Sequence, residues 1–223
     1  MVPALYSDND ILILDKPSGL PSQPGQGVRV SVVEAVERDY GFRPWLVHRL
    51  DRDTAGCLIV ARSARAAADA SALLESRRAR KLYRAVVLGG PDEPEGQLSS
   101  DVSVRGKAVA ALTRYRLLGR SSGLAYVEAE LGTGRMHQLR QHFADSLWPI
   151  LADDRYGNFS RNKELGRLYG AKRLFLWSWR LVLPLSHGVV DVRSSVPPHF
   201  LSLLERLDLD PLMGDAGGPG SLP

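Results

Sequence analysis

Apolar residues in this 223-residue chain come in short runs, and this pattern constrains the fold more than any other feature of the sequence. The longest clear runs cover residues 11–14 and 58–61, whereas a membrane-spanning helix needs roughly 18 consecutive apolar residues. Short apolar or β-branched segments between turn residues are typical of strands. We therefore exclude a transmembrane protein and expect an ordinary globular chain, 44% hydrophobic and 24% charged, whose core includes a sheet.

Turn-forming clusters divide the chain into strands and helices. Residues 5–6 and 11–15 predict a hairpin, valines at helical spacing predict a helix up to residue 40, and Ser63 is a candidate N-cap for an Ala-rich helix ending near residue 77. Further strands are expected at residues 46–48, 56–62, 83–89, 108–118, 124–131, 174–183 and 189–192, and further helices at 137–147 and 198–207. The mixture predicts an α+β fold over residues 1–207, followed by a flexible tail over residues 208–223.

The net charge of +4 is modest but unevenly distributed. Residues 43–84 sum to +6 and residues 129–180 to +4, and arginine dominates both blocks. Because the planar guanidinium group suits phosphates and base edges, the two blocks are candidate nucleic-acid contacts. The alternative, which charge alone leaves open, is that they are solvated helix faces.

Several common chemistries lack their sequence signatures. The single cysteine, Cys57, excludes a disulfide framework and a multi-cysteine zinc site. The chain has no His-Glu-x-x-His, no phosphate-binding loop and no Gly-x-Ser-x-Gly, and the loop at residues 132–134 lacks the third glycine of a dinucleotide fingerprint. We therefore expect no metal and no nucleotide cofactor. Residues 1–10 do not read as a secretory signal, so a cytoplasmic protein is expected.

A polar, arginine-rich turn, His48-Arg49-Leu50-Asp51-Arg52-Asp53-Thr54-Ala55-Gly56, lies between two apolar segments. Asp51 sits among three basic groups, which favour an ionised carboxylate suited to nucleophilic or general-base work. The alternative for Asp51 is a turn aspartate in a surface salt bridge.

Two further segments carry candidate groups. The glycine loop at residues 132–134 leads into a helix whose start holds His137 and Arg140, spaced to project from one face, and helix starts favour anions. Tyr83, on a predicted strand, is placed to stack on a base. Each segment also has an ordinary structural interpretation. The helix could pack on the core with its arginines in solvent, and Tyr83 could be a packing residue of the sheet.

Taken in chain order, these motifs resemble those of the RluA family of RNA pseudouridine synthases, over roughly residues 5–200. The most specific segment is His48-Arg49-Leu50-Asp51, followed by Thr54 and Gly56. The other matching segments are Tyr6, Asp15-Lys16-Pro17-Ser18-Gly19-Leu20, Pro24-Gly25, Lys81-x-Tyr83-x-Ala85-x-Val87-x-Gly89, Gly134-Arg135, His137-Gln138-Leu139-Arg140, His142, Pro149-Ile150, Asp153, Tyr156-Gly157, Arg173-Leu174 and Leu176. The departures from the family pattern are at Ala55, Met136, Ala152 and Trp177-Ser178, and none removes a proposed catalytic group.

The resemblance implies a role for five residues. Asp51 would be the catalytic aspartate, Tyr83 the aromatic partner of the target uracil and Arg140 the salt-bridge partner of Asp51. Arg49 would hold the flipped nucleotide or fill its gap, and Leu176 would form part of the apolar wall of the pocket. The implied fold has a mixed, largely antiparallel sheet in two lobes with a central cleft.

The resemblance also implies that neither a cofactor nor a metal is used. The S4 RNA-binding domain that often precedes this fold is not expected here, and we expect a monomer that acts on ribosomal large-subunit RNA or transfer RNA. A first alternative is a catalytically inactive RNA-binding or RNA-remodelling protein that keeps the fold. A second is glycosidic hydrolysis by a carboxylate pair, either Asp51 with Asp53 or Asp153 with Asp154.

Overall fold

The computed structural model describes residues 1–214. The described residues form two compact units: unit 1 comprises Met1–Lys81 and Trp177–Pro197, and unit 2 comprises Leu82–Leu176 and residues 198–214. No helix within residues 1–214 combines the length and apolar character needed to cross a membrane.

In chain order, the elements of the described residues are β1 (Ala4–Ser7), β2 (Ile11–Lys16), α1 (Val32–Tyr40), β3 (Trp45–Leu46), β4 (Ala55–Ala61), α2 (Ala64–Glu75), β5 (Arg80–Leu88), β6 (Glu95–Val104), β7 (Lys107–Ser121), β8 (Leu124–Leu131), α3 (Gln138–Asp145), α4 (Phe159–Tyr169), β9 (Leu176–Leu185), β10 (Gly188–Arg193) and α5 (Pro198–Arg206). The predicted α+β class with a mixed, largely antiparallel sheet is confirmed. The central cleft stays a prediction.

The strands of unit 1 run in the order β1-β2-β4-β9, with β3 also paired to β4 and β10 to β9. The predicted hairpin is confirmed as β1 and β2. Among the unit 1 strand pairs within residues 1–214, the antiparallel pattern is broken by β4 and β9, which are parallel where Ala55 pairs with Trp177 and Gly56 with Ser178. Strand β4 is buried along its whole length, and β2 is buried except at Asp15. Burial on both faces explains why these strands are continuous apolar runs rather than alternating patterns.

Two capped helices belong to unit 1. Helix α1 begins with a capping box: the Ser31 side chain accepts from the Glu34 backbone N–H, and the Glu34 side chain accepts from the Ser31 backbone N–H. The predicted Ala-rich helix is confirmed as α2, and the Ser63 hydroxyl accepts a hydrogen bond from the Ala66 N–H at 3.1 Å. Buried alanines of α2 pack with Ile13 and Ile59 in the core; their small side chains let the helix approach the sheet closely.

Unit 2 contains the antiparallel strands β5, β8, β7 and β6, in that order. Helix α3 contacts these strands through His142, whose Nδ1 lies 3.0 Å from the Thr113 hydroxyl of β7. Phe143 of α3 stacks on Trp148 with ring centroids 4.5 Å apart. Helix α5 contributes Phe200, which lies 5.1 Å from the Phe175 ring. The sequence predicted neither β6 nor α4.

The expected tail begins within the described chain. Residues 208–214 contact strands β5 and β8 of the same unit. The Arg84 guanidinium donates to the Pro211 carbonyl and, at 3.2 Å, to the Met213 carbonyl, and the Tyr126 hydroxyl donates to the Pro211 carbonyl at 2.9 Å. Residues 215–223 lie outside the described residues, so flexibility there stays a prediction.

Candidate active site

The arginine-rich turn is a tight connection between β3 and β4. The Thr54 N–H donates to the Asp51 carbonyl at 3.1 Å and closes the turn. Leu50 is buried and Asp51 half-buried, whereas Arg49 is exposed. The backbone therefore leads from an apolar anchor directly to the Asp51 carboxylate.

The loop after β2 holds this turn in place. Buried Ser22 accepts from the Leu50 N–H at 3.1 Å and donates to the Leu50 carbonyl at 2.6 Å. The Ser18 hydroxyl donates to the Asp53 carbonyl at 2.8 Å, and the Gly19 N–H donates to the Arg52 carbonyl at 2.9 Å. Backbone groups on both sides of Asp51 are thus fixed by a segment remote in sequence.

Lys16 is completely buried beneath the same turn. Its ammonium donates to the carbonyls of Pro17, Leu20 and Arg52, at 3.1, 2.8 and 3.0 Å, so all three of its protons are used. Burial lowers the pKa of Lys16 to about 7, although the carboxylates of Asp53 and Asp51 act in the opposite direction.

Gly56 ends the turn in a conformation that requires glycine. Its φ is 111°, and a Cβ atom at this position would lie 2.1 Å from the Ser178 carbonyl oxygen. The parallel pairing of β4 with β9 begins here, so the glycine lets the two backbones approach where the turn joins the sheet.

The His48 side chain makes a structural hydrogen bond to the backbone of β4. Its Nε2 accepts a hydrogen bond from the Ile59 N–H at 3.1 Å. Burial, with a smaller contribution from the Lys81 ammonium, lowers the pKa of His48 to about 4. The imidazole is therefore neutral at pH 7, the state in which Nε2 accepts a hydrogen bond.

Tyr83 and Leu176 both belong to unit 2. Tyr83 is buried on β5, opposite Ala129 of β8. Leu176, also buried, is the first residue of β9 and follows Phe175, whose backbone bonds to Val86 and Leu151 at 3.2 and 3.1 Å. Both side chains therefore lie on or next to hydrogen-bonded backbone.

Arg140, in the first turn of α3, forms a buried ion pair. Its Nε and Nη2 donate to the two carboxylate oxygens of Asp153, both at 2.8 Å, and Nη2 also donates to Asp154 at 2.9 Å. Burial disfavours ionisation of Asp153, but hydrogen bonds from Arg140 and from the N–H groups of Tyr156 and Arg155 outweigh it and keep the pKa below its ordinary value. The guanidinium plane is thereby fixed.

The predicted glycine loop precedes α3, as expected, and Gln138 supports it. The side-chain oxygen of Gln138 accepts from the Thr133 hydroxyl and the Arg135 N–H, at 2.7 and 3.1 Å. His137 has a positive φ of 54° and lies just before the helix, not within it. Its Nδ1 contacts the Tyr156 hydroxyl at 3.1 Å.

The predicted site residues fall into two groups. Arg49 and Asp51 share one turn in unit 1, and Tyr83, Arg140 and Leu176 lie in unit 2. Sequence reasoning missed the supporting roles of Lys16 and Ser22, although a lysine ending a buried apolar strand is a detectable anomaly. Across residues 1–214, no group of three or more His, Cys, Asp or Glu side chains is placed to hold a metal ion.

Within unit 1, the arrangement presents a carboxylate on a rigid turn next to exposed arginines; within unit 2, it presents a clamped guanidinium. Fixed groups of this kind suit covalent or acid–base chemistry on an anionic substrate. The arrangement within each unit fits the class of RNA-modifying enzyme that the motif order resembles, the pseudouridine synthases.

Comparison with known proteins agrees with this class. A model of the family described as RNA pseudouridylate synthase matches residues 10–145. The ribosomal large subunit pseudouridine synthase C of Vibrio cholerae is 32% identical over 219 residues, covering 91% of this chain and 68% of that protein. An uncharacterized RNA pseudouridine synthase of Synechocystis is 31% identical over 228 residues, with coverage of 91% and 68%.

A solved structure shares the fold. Human RNA pseudouridylate synthase domain containing 4 superposes with a TM-score of 0.77 at 24% identity, covering 93% of each chain. The chain belongs to the RNA pseudouridylate synthase family, so it is an RNA pseudouridine synthase.

Proposed function

We propose that this enzyme isomerises one or a few uridines of ribosomal large-subunit RNA, with Asp51 as the catalytic carboxylate. The observation that carries this proposal is the fixation of the Asp51 turn: Ser22, Lys16, Ser18 and the Gly19 N–H all bond its backbone. A surface salt bridge needs no such support, whereas a nucleophile must be held close to its productive geometry.

The reaction is an isomerisation that neither adds nor removes atoms overall, so its balance calls for no second substrate. The bond from N1 of uracil to C1′ of the sugar breaks, the base turns, and a bond forms from C5 to C1′. C5 loses its proton and N1 gains one, so the balance is kept. The Asp51 carboxylate starts the sequence by adding to C6 of the base, or by displacing N1 at C1′ of the sugar, and the bond that it forms breaks again before the product leaves. Both routes need a carboxylate held in the correct position.

The other predicted residues take roles that fit their surroundings. The target uridine must leave its stack to reach a carboxylate held on a protein turn. Tyr83 would contact the flipped uracil, and exposed Arg49 would hold the flipped nucleotide or fill its gap. Arg140, whose plane is fixed by Asp153, would pair with Asp51. Leu176 would supply apolar surface to the pocket.

The names of the relatives support the choice of ribosomal RNA. Proteins named ribosomal large subunit pseudouridine synthase C or D, from Vibrio cholerae and Haemophilus ducreyi, are 32% and 28% identical to this chain. Transfer RNA is the other substrate to be tested. An inactive RNA-binding protein is disfavoured, because Asp51 and its supporting bonds are all present.

The test is a map of pseudouridines in total RNA from cells with and without this gene. We expect one or a few sites in large-subunit ribosomal RNA to disappear on deletion and to return with the wild-type gene. Lost sites confined to transfer RNA would overturn the substrate assignment, and no lost site under several growth conditions would overturn the proposed activity.

A further inference from the structure

Helix α4 hides very little of its own surface. Along its 11 residues only Leu165 is buried. Phe159 is 63% exposed and Leu168 56% exposed. Burial of one residue does not explain why apolar and charged side chains are left exposed on the other faces of this helix.

The surroundings of α4 are strongly basic. Residues 155–173 carry six arginine and lysine side chains against one carboxylate, Glu164, whereas the whole chain is only +4. All six cations are exposed. Glu164 is paired with Arg161 at 2.7 Å, and over the described residues the structure gives Lys163 and Arg167 no ion pair.

The exposed groups of α4 form a row. Phe159, Lys163 and Arg167 follow one another at intervals of four residues, so they lie along one face over about 12 Å. Leu165 lies on the opposite face. Two like charges at this spacing destabilise a helix slightly. The stability of α4 therefore does not explain why Lys163 and Arg167 are both present.

Helix α4, and with it the row, is hydrogen-bonded to residues 152–153, next to the ion pair of Arg140 with Asp153. Asn162 accepts from the Ala152 N–H and donates to the Asp153 carbonyl, both at 3.0 Å, and Asp153 in turn holds Arg140. A Cβ atom on Gly157 would lie 2.2 Å from the Asp153 carbonyl oxygen. The glycine is therefore required for this close tether.

Both ends of α4 are also fixed. Asn158 caps its N-terminus by accepting from the Arg161 N–H at 3.0 Å. At the other end, Arg206 of α5 donates to the Leu168 carbonyl at 2.9 Å and lies over the Tyr169 ring. The row therefore projects from unit 2 in a fixed direction.

We propose that the row of Phe159, Lys163 and Arg167 binds a single-stranded stretch of the substrate RNA outside the target uridine. Lys163 and Arg167 pair with successive phosphates, and Phe159 stacks on a base. Cations bind RNA phosphates regardless of base sequence. An exposed aromatic ring adds stacking on an unpaired base of single-stranded RNA. The proposal rests on the proposed function only in taking RNA as the substrate.

The test is fluorescence anisotropy of a labelled oligouridylate bound to the full chain at several salt concentrations. We expect Lys163→Gln/Arg167→Gln to raise Kd and to reduce the slope of log K against log salt by about 1.4. The ratio of the variant Kd to the wild-type Kd should then fall about sevenfold between 50 and 200 mM salt. Phe159→Ala should raise Kd about tenfold with the slope unchanged, since stacking is not ionic.

Two control variants keep the result specific. Lys163→Arg/Arg167→Lys preserves both charges and should keep the wild-type slope. Arg105→Gln/Lys107→Gln removes two exposed cations from the tip of the β6–β7 hairpin in the same unit and should change the slope less. Circular dichroism checks that every variant is folded, which we expect because Leu165 and Asn162 are untouched.

A wild-type Kd and slope in Lys163→Gln/Arg167→Gln would overturn the proposal and leave an acidic protein surface as the partner of this face. An equal loss in the hairpin variant would overturn the assignment to α4. Because binding is measured without turnover, failure of the proposed catalytic role of Asp51 would leave these slopes unchanged and be recognised separately.

Discussion

At the scale of single residues, buried polar groups decide where Asp51 is held. Lys16 and Ser22 are among the least exposed polar residues of the described chain, and both bond backbone atoms of the Asp51 turn. The sequence predicts Asp51 because charged residues in a turn are visible as a pattern. It does not predict the supporting bonds, because they join segments more than 25 residues apart that only the folded chain brings together.

Replacing Lys16 with methionine tests this support. The substitution keeps a long apolar stem but leaves three carbonyls without their donor, so we expect Lys16→Met to lower the free energy of unfolding by roughly 3 kcal/mol. Urea denaturation measures the loss. The control is Lys107→Met, at an exposed hairpin position, which should stay within about 0.5 kcal/mol of wild type. Equal stability of the two variants would contradict the role of Lys16.

The neutral state of His48 predicts a pH dependence of stability. The folded protein binds a proton at His48 only near pH 4, because burial lowers the pKa, whereas the unfolded chain binds it near its ordinary value of about 6.5. Between these values the unfolded state holds more protons, so stability rises with pH and is lost as the pH falls through this window.

Urea denaturation between about pH 4 and 6.5 measures this contribution. We expect His48→Gln, whose side-chain oxygen can still accept from the Ile59 N–H, to flatten the slope by up to about 1.4 kcal/mol per pH unit. The control is Gln97→Ala, at an exposed position without an ionisable group, which should keep the wild-type slope. Identical slopes in wild type and His48→Gln would show that His48 does not titrate in this way.

At the scale of secondary structure, the most buried elements were predicted, and the two elements that were missed each bury a single residue. The capped helices α1 and α2 and the buried strands β2 and β4 carry periodic or continuous apolar patterns. Strand β6 buries only Val102 and depends on its pairing with β7. Helix α4 buries only Leu165. Neither has enough apolar periodicity to be recognised from sequence.

Gly56 allows the approach of β4 to β9, and two glycine substitutions isolate that steric effect. Gly56→Ala brings a methyl group onto the Ser178 carbonyl, whereas a Cβ at Gly27, where φ is also positive at 74°, meets nothing within 4 Å. We expect Gly27→Ala to lose about 1 kcal/mol from backbone strain and Gly56→Ala to lose at least about 3 kcal/mol, as measured by thermal and urea unfolding. Similar losses at both positions would mean that the close approach contributes little.

At the scale of the whole molecule, the predicted site residues are distributed over both units. Unit 1 carries Arg49 and Asp51, and unit 2 carries Tyr83, Arg140 and Leu176. Distances within each unit are fixed by hydrogen bonds, notably the Ser22 contacts and the Arg140 clamp. The sequence predicted the family and these residues through motif order. It could not predict how each side chain is supported, because that depends on packing between distant segments.

The central claim is that the Asp51 carboxylate performs the chemistry, and Asp53 provides a matched control on the same turn. The carboxylate of Asp53 pairs with exposed Arg52 at 2.9 Å, a contact worth little. We would measure pseudouridine formation by purified wild type, Asp51→Asn and Asp53→Asn on ribosomal RNA from cells lacking the gene. We expect Asp51→Asn to lose activity on the order of 10⁴-fold or more while remaining folded, and Asp53→Asn to stay active. A folded Asp51→Asn enzyme with near wild-type activity would contradict the claim.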